Sequence, residues 1–191
     1  DPRFFDKCRI VIPGTVDEGR RDYLSIFDRL EDISIKQKNL EIILLGKMKA
    51  QVIRAIINKG KFSNMVKAFD GYIDKEKYQN EILNSHFVLL NLRYVPPYGK
   101  YKISGPEIDA ASLGIPMIVP QNYIRGGDLH SGVAVEVKNI GDSIEVALDY
   151  FNDRKKYMRL AEQALENSKL FRNEQVSAQI LSVLSSQVIS R

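Results

Sequence analysis

Residues 40–46 read LEIILLG, a run rich in leucine and isoleucine that ends at a glycine. Residues 87–90 read FVLL, and residues 9–13 read RIVIP before Gly14. Strands of a parallel sheet are covered on both faces, so their sequences are apolar almost throughout. The three runs therefore predict buried strands of a parallel sheet.

Helical spacing fills the segments between these runs. From about residue 17 to residue 31, one predicted helical face carries Tyr23, Leu24, Phe27 and Leu30. The whole pattern predicts strands at 9–13, 40–45, 66–73, 86–92, 116–119 and 133–137. Helices are predicted at about 17–31, 50–58, 75–84, 106–113, 141–151, 154–171 and 174–188, with Asp153 as an N-cap.

Six short strands that alternate with helices indicate an α/β, Rossmann-like fold. We expect a doubly wound, mostly parallel six-stranded sheet followed by C-terminal helices. A chain of 191 residues, 44% hydrophobic and 27% charged, can form one domain with a sizeable core. This composition argues against a mainly disordered chain, and the longest apolar runs are too short to span a bilayer.

The cysteine content argues against an internal disulfide, and the net charge does little to narrow the class of ligand. The single cysteine, Cys8, cannot form an internal disulfide, and we expect it to be a small residue beside the first strand. No cluster of cysteine and histidine indicates a metal site. The formal net charge of +4 is compatible with an anionic ligand or an acidic membrane surface. We expect no nucleic-acid partner.

The expected ligand site lies at one end of the sheet. An open α/β sheet binds ligands beyond the carboxyl ends of its strands, where the strand order reverses. With the usual order 3-2-1-4-5-6, this point lies between the first and fourth strands. Residues 14–21 and 93–105 form the loops that should line it.

Both loops combine glycine with cationic side chains close to the start of a helix. The first contains Gly14, Thr15, Arg20 and Arg21. The second contains Arg93, Tyr94, Tyr98, Lys100, Tyr101, Lys102, Ser104 and Gly105. Backbone N–H groups at a helix start bind phosphate, and arginine and lysine add charge-assisted hydrogen bonds. One such residue is usually only solvated surface, whereas two such loops at one crevice predict an anionic, phosphorylated ligand.

Two acidic residues follow the second loop. Asp109 lies one turn into the next predicted helix, where it would either complement the helix dipole or hold a pair of ribose hydroxyls. Glu107 is an alternative for either role. The sequence pattern does not decide between the two residues.

Several stretches, taken in order, resemble GT-B glycosyltransferases of the group 1 type. Residues 109–119, DAASLGIPMIV, resemble the E-A-x-A-x-G-x-P-V-I signature of these enzymes. Residues 69–73, FDGYI, followed by Tyr78 and the run at 82–92, resemble their F-x-G-Y-V segment and the strand after it. The remaining matches are at 10–14, 20–23 and 44–46. The resemblance covers most of residues 9–170.

In that family the corresponding segment is the C-terminal domain, which binds a nucleotide-diphosphate sugar, usually without a metal. The resemblance puts the base beside residues 71–73 and makes Asp109 the acid that holds the ribose. It places the diphosphate between the second loop and Arg20 or Arg21. The implied donor site, with no cofactor and no metal, consists of Gly14, Thr15, Arg20, Arg21, Gly71, Tyr72, Ile73, Lys100, Lys102, Ser104, Gly105 and Asp109.

The sequence departs from the family pattern at one position. The first acid of the E-x(7)-E motif would fall at Tyr101, so it is absent, and the stereochemical outcome is not predicted. No catalytic residue is identified. His86 should pack in or beside a strand, and His130 lies in the polar loop after the fifth strand, near the expected cleft. We expect any catalytic base to come from another domain.

The resemblance also implies a longer protein. Residues 1–8 would be a linker from an N-terminal domain, residues 9–173 the nucleotide-sugar-binding domain, and residues 174–191 a C-terminal helix. The other domain would hold the acceptor, a glycan or a lipid-linked sugar. We expect a cytoplasmic enzyme of polysaccharide biosynthesis, with peripheral contact to the inner membrane in the full-length protein.

Other functions with the same architecture stay open at this point. A nucleotide-sugar epimerase would bind the same ligand and would need its own acid and base. A degenerate transferase domain could bind nucleotide without catalysis, since function depends on the site and not on the fold. A dinucleotide-binding domain is disfavoured because no G-x-G-x-x-G follows the first strand. A receiver domain is disfavoured because the acidic cluster that binds Mg²⁺ is absent.

Overall fold

A computed structural model of the protein describes residues 6–33, 39–93, 102–121, 123 and 133–171. The strands are β1 (Cys8–Pro13), β2 (Leu40–Leu45), β3 (Val66–Ala68), β4 (Phe87–Leu89), β5 (Met117–Pro120) and β6 (Ala134–Val137). The helices are α1 (Leu24–Ile33), α2 (Gln51–Asn58), α3 (Lys75–Leu83), α4 (Gly105–Leu113), α5 (Ser143–Asn152) and α6 (Arg154–Ser168). Short 3₁₀ turns cover Ile140–Asp142 and Lys169–Phe171. The helix predicted at 174–188 lies outside the described residues.

The six strands form one parallel sheet in the order β3-β2-β1-β4-β5-β6. Its longest ladder joins β1 to β2, from Cys8 opposite Leu40 to Pro13 opposite Leu45. This order confirms the predicted one. It also places the carboxyl ends of β1 and β4 side by side, where the direction of winding reverses.

Helices cover both faces of the sheet, as a doubly wound fold requires. Alternate side chains of a strand point to opposite faces. Accordingly Ile10 and Ile12 belong to one buried cluster, with residues of α1, α2 and α5, while Val11 belongs to a second cluster with residues of α3 and α4. Helix α6 contributes to both clusters, through Tyr157 and Ala164.

The first helix begins at Leu24, so the predicted start near residue 17 is wrong. Asp17 holds the preceding segment in a turn, because its Oδ1 accepts from the Gly19 N–H at 2.9 Å. Asp22 then satisfies the first helical turn by accepting from the Ser25 N–H and hydroxyl. Leu24 was predicted to be on the buried face and is 38% exposed, whereas Ile26 is buried.

The third and fourth strands are shorter than predicted. β3 ends at Ala68, and the segment predicted to continue it to residue 73 leaves the sheet. Gly71 has a φ of 128°, a conformation that a strand residue does not adopt, and Asp70 pairs with Arg54. β4 ends at Leu89, after which Leu92 forms an isolated antiparallel bridge with Arg21.

Three single-residue predictions agree with the structure. Asp153 caps α6 by accepting from the Lys156 N–H at 3.0 Å. Cys8 is the fully buried first residue of β1, and burial raises the pKa of its thiol to about 12. His86 is buried against Phe151, and its Nδ1 accepts from the Arg9 N–H at 3.1 Å.

The loop after β1 lies directly against the loop after β2. The Gly14 N–H donates to the Leu45 carbonyl at 2.9 Å, and the Val16 N–H donates to the Lys47 carbonyl at 3.0 Å. A Cβ atom on Gly46 would lie 2.1 Å from the Gly14 carbonyl oxygen. Only glycine at position 46 allows this approach of the two backbones.

We predict that Gly46→Ala lowers the free energy of unfolding by about 3 kcal/mol, because the added methyl group overlaps backbone that must shift. Gly60→Ala is the matched control. Gly60 has a positive φ of 72°, but a Cβ atom there meets nothing within 4 Å, so only about 1 kcal/mol of backbone strain is expected. Urea denaturation of both variants measures the difference. Equal losses would show that the contact between the two loops is not tight.

Candidate functional site

A narrow cleft of about 240 Å³ lies at the carboxyl ends of β1 and β4. It is lined by Thr15, Arg20, Arg21, Leu92, Lys102, Ile103, Ser104, Gly105 and Pro106. The two loops that the strand order was expected to bring together therefore do meet. Their cationic side chains share one cleft with the start of α4.

A wider cleft of about 490 Å³ adjoins the first one over β1 and β2. It is lined by Gly14, Thr15, Leu45, Gly46, Lys47, Gly71, Tyr72, Ile73 and Tyr78. Thr15 lines both clefts and so marks their junction. Residues 71–73, predicted to lie beside a base, thus form a wall of the cleft next to the cationic one.

A larger depression of about 640 Å³ lies on the outer surface of α5 and α6. Its lining includes Tyr150, Lys155 and Arg159. It is not at the carboxyl ends of the strands, and Lys156 on its wall already pairs with Asp149. The two clefts at the strand ends are therefore the better candidate.

Arg21 is held in place at the junction of the clefts. Its Nη1 donates at 3.1 Å to Oδ1 of Asn91, a fully buried residue just beyond β4. A Cβ atom on Gly14 would lie 2.9 Å from the Arg21 guanidinium, so glycine leaves the room in which that group lies. Burial raises the pKa of the adjacent Tyr23, and the charge of Arg21 opposes that rise. Asn91 was not identified from the sequence, although it is a polar residue that interrupts an apolar run at a strand end.

Arg20 lies at the exposed rim of the narrow cleft. Its Nε pairs at 3.2 Å with Oδ2 of Asp17. The pKa of Asp17 is lowered, chiefly by the hydrogen bond from the Gly19 N–H and also by Arg20. The aspartate is therefore ionised at neutral pH, and it keeps the Arg20 side chain close to the cleft.

The start of α4 offers fewer backbone donors than the Ser-Gly sequence indicates. The Ser104 N–H donates to Oε2 of Glu107 at 3.2 Å, and Pro106 has no N–H. The N–H groups of Glu107 and Ile108 donate to the Ser104 carbonyl. In this turn, the Gly105 N–H is the remaining backbone group that could donate to an anion in the cleft.

The structure separates the two acids of α4. Glu107 is 1% exposed and accepts from both the Ser104 N–H and the Tyr123 hydroxyl, so its carboxylate is buried and hydrogen-bonded inside the protein. Asp109 is half-buried and accepts from the Tyr78 hydroxyl at 2.7 Å. It lines neither cleft itself, but Tyr78 lines the wider one. Like Asn91, Tyr78 is a residue of this region that was not identified as a site residue from the sequence.

Some predictions cannot be placed. The predicted loop residues Tyr94, Tyr98, Lys100 and Tyr101, and also His130, lie outside the described residues. Within the described part of the chain, no group of three or more histidine, cysteine, aspartate or glutamate side chains is placed to hold a metal ion. Among the same residues, no helix is both long and apolar enough to cross a membrane.

Comparison with known proteins finds similarity in structure but not in sequence. No protein-family model matches the chain, and no curated protein matches it at a significant level. Anabaena HepE in complex with UDP matches with a TM-score of 0.67 at 15% identity, over 97% of this chain and 50% of that chain. The C-terminal domain of LpcC, a glycosyl transferase group 1 family protein from Francisella tularensis, matches with a TM-score of 0.60 at 11% identity, over 85% and 84%.

An enzyme of another class has a similar structure. A Listeria monocytogenes protein named as a UDP-N-acetylglucosamine 2-epimerase matches with a TM-score of 0.53 at 14% identity, over 84% of this chain and 40% of that chain. The chain thus spans half of HepE and less than half of the Listeria protein. These similarities concern the fold. The chain has the fold of the C-terminal half of GT-B glycosyltransferases, as its sequence motifs predicted.

Proposed function

We propose that this chain is the donor-binding domain of a glycosyltransferase and that it binds a nucleotide-diphosphate sugar. The observation that carries the proposal is the pair of adjoining clefts at the strand ends, which share Thr15. The narrow cleft carries three cationic side chains, and residues 71–73 form one wall of the wider cleft. A ligand with an anionic centre and a planar end suits this pair.

The diphosphate would lie in the narrow cleft. Arg20, Arg21 and Lys102 line it, and the N–H of Gly105 adds a donor at a helix start. By family resemblance, Lys100 and Ser104 would contribute from the same loop. Charge-assisted hydrogen bonds of this kind are stronger than neutral ones, which suits a ligand carrying two phosphoryl groups.

The nucleoside would lie in the wider cleft. Its base would rest beside Gly71, Tyr72 and Ile73, and Tyr72 is 94% exposed, so its ring is accessible for stacking. Gly14 and Gly46 form the floor without side chains, which lets a ligand approach the backbone closely. Asp109, which Tyr78 links to this cleft, would accept from the ribose hydroxyls.

The cations would also serve the chemistry. When the bond between the sugar and the diphosphate breaks, negative charge develops on the departing nucleoside diphosphate. Charged groups that are already oriented stabilise this charge in the transition state. Arg21 is oriented in advance by buried Asn91, so little reorganisation is needed. Removing one such donor typically raises the barrier by about 3 kcal/mol.

The comparisons support a protein of more than one domain. Because the chain spans half of HepE, we propose that the acceptor, a glycan or a lipid-linked sugar, and the catalytic base belong to a further domain. We also propose a cytoplasmic role in polysaccharide biosynthesis, with peripheral contact to the inner membrane through that domain.

An epimerase is the second candidate, because the Listeria protein has a similar fold. Epimerisation needs acid and base residues next to the sugar. The described residues that line the two clefts include no carboxylate and no imidazole. This composition favours a transferase, in which the catalytic base can come from another domain.

We predict that one of UDP, GDP and ADP binds this chain with a micromolar to millimolar Kd in titration calorimetry. Lys102→Ala should weaken that binding about three- to tenfold, because an exposed charge-assisted hydrogen bond contributes up to about 1.4 kcal/mol. Lys59→Ala removes another exposed lysine, which lines neither cleft, and should leave the Kd unchanged.

The corresponding nucleoside, without phosphate, separates the two halves of the site. It should bind much more weakly, and Lys102→Ala should not affect it. If no nucleoside diphosphate binds, the donor-domain proposal fails for this chain, and an interaction-only domain becomes the better account. If Lys59→Ala weakens binding as much as Lys102→Ala, the effect is general electrostatics and the narrow cleft is not the site.

Substitutions of the two acids of α4 should have opposite effects on stability and on binding. Glu107→Gln should lower the free energy of unfolding by about 1–3 kcal/mol, because it disturbs a buried hydrogen-bonded group, and should change the Kd by less than about twofold. Asp109→Asn should do the reverse, with a loss of stability below about 1 kcal/mol and binding about tenfold weaker. Denaturation and calorimetry on the same preparations measure both. The opposite pattern would assign the ribose to Glu107.

A further inference from the structure

The Tyr78 hydroxyl joins two helices at the edge of the wider cleft. Tyr78 belongs to α3, and its hydroxyl donates at 2.7 Å to Oδ2 of Asp109 in α4. The two residues are 31 positions apart in sequence, so the fold alone brings them together. In the described part of the chain, this is the side-chain hydrogen bond that orients the Asp109 carboxylate.

The position of Tyr78 is fixed by its surroundings. Its ring packs against the second buried cluster, and Ile82 one turn later is fully buried in that cluster. Asp74 caps α3 by accepting from the Lys77 N–H at 2.8 Å, which fixes the first turn of the helix. Burial, and then the bond to Asp109, raise the pKa of Tyr78, so its hydroxyl is protonated at neutral pH and acts as a donor.

The position of Asp109 is much less determined. It is half-buried, and it is not held by a network of the kind that surrounds Glu107 two residues earlier. An aspartate side chain rotates about two bonds, so a single contact to one oxygen determines where the other oxygen points. A carboxylate has acceptor sites on both oxygens, and the Tyr78 bond uses one of those on Oδ2.

We propose that Tyr78 is a positioning residue for the ribose. It holds Oδ2 of Asp109 so that Oδ1 is presented to the 2′-hydroxyl of the bound nucleotide. This inference rests on the proposed function, and it assigns the discrimination between ribonucleotides and deoxyribonucleotides to a pair of side chains from α3 and α4. A purely structural tie between the helices would affect stability and would not affect that discrimination.

The test is calorimetry with matched ribonucleotide and 2′-deoxyribonucleotide, UDP with dUDP, GDP with dGDP, and ADP with dADP. The wild-type chain should bind the ribonucleotide about five- to tenfold more tightly, as expected for one hydrogen bond to a carboxylate. Tyr78→Phe keeps the ring and removes the hydroxyl. It should reduce the preference to about twofold or less, while the Kd for the deoxyribonucleotide changes by less than about twofold.

A double-mutant comparison identifies the route of the effect. Asp109→Ala should abolish the same preference, and Tyr78→Phe added to Asp109→Ala should have no further effect on it, because the two residues act as one unit. Tyr150→Phe removes a hydroxyl on α5, remote from the clefts, and should leave the preference intact. A thermal melt of each variant checks that it is folded.

The outcomes are distinguishable. If the wild-type chain binds none of the three nucleoside diphosphates, the proposed function and this inference both fail. If it binds and prefers the ribonucleotide, but Tyr78→Phe keeps the full preference, only this inference fails. Equal weakening of both nucleotides by Tyr78→Phe also overturns it, because the hydroxyl then contacts the base or supports the cleft as a whole.

Discussion

The close approach of Gly14 to Gly46 is the contact on which the site depends. A side chain on Gly46 would meet the Gly14 carbonyl oxygen at 2.1 Å, so the loops after β1 and β2 can lie together only because position 46 is glycine. Hydrogen bonds from the Gly14 and Val16 N–H groups to the Leu45 and Lys47 carbonyls hold this arrangement. As a result Thr15 lies where the two clefts meet, and two glycines, Gly14 and Gly46, line the wider cleft beside it.

The polar side chains around Thr15 are of two kinds, those oriented by buried partners and those exposed to solvent. Arg21 is half-buried and bound to Asn91, so its guanidinium has one orientation before any ligand arrives. Arg20 and Lys102 are exposed at the rim and can adjust. The acids of α4 differ in the same way, because Glu107 is committed to the interior while Asp109 depends on one hydroxyl. Preorganised and adjustable groups are thus combined at the candidate site.

Much of the fold could be predicted because parallel sheets constrain both sequence and topology. The run at 40–45 matched β2 in both bounds, and the strand order with its switch point followed from the alternation of elements. The predictions failed where side chains act on local backbone. Asp17 and Asp22 delay the first helix, and the segment at 69–73 leaves the sheet, with residues 71–73 lining a cleft instead of extending β3.

The candidate site was predictable only in part, because some of its contacts join residues that are distant in sequence. Its loops follow from topology, and their cations were identified from the sequence. The contacts between Arg21 and Asn91 and between Tyr78 and Asp109 join residues 70 and 31 positions apart, and no local pattern encodes them. Likewise Glu107 and Asp109 look alike in sequence, and only the structure assigns Glu107 to the capping box and Asp109 to the hydrogen bond with Tyr78.

The most direct test is a crystal structure of this chain with the nucleoside diphosphate that binds most tightly. The account predicts the diphosphate between Arg21 and Lys102 near the start of α4, the ribose at Asp109, and the base along residues 71–73. Density for the nucleotide on the outer surface of α5 and α6, or in the two clefts with its phosphates away from the cations, would contradict it.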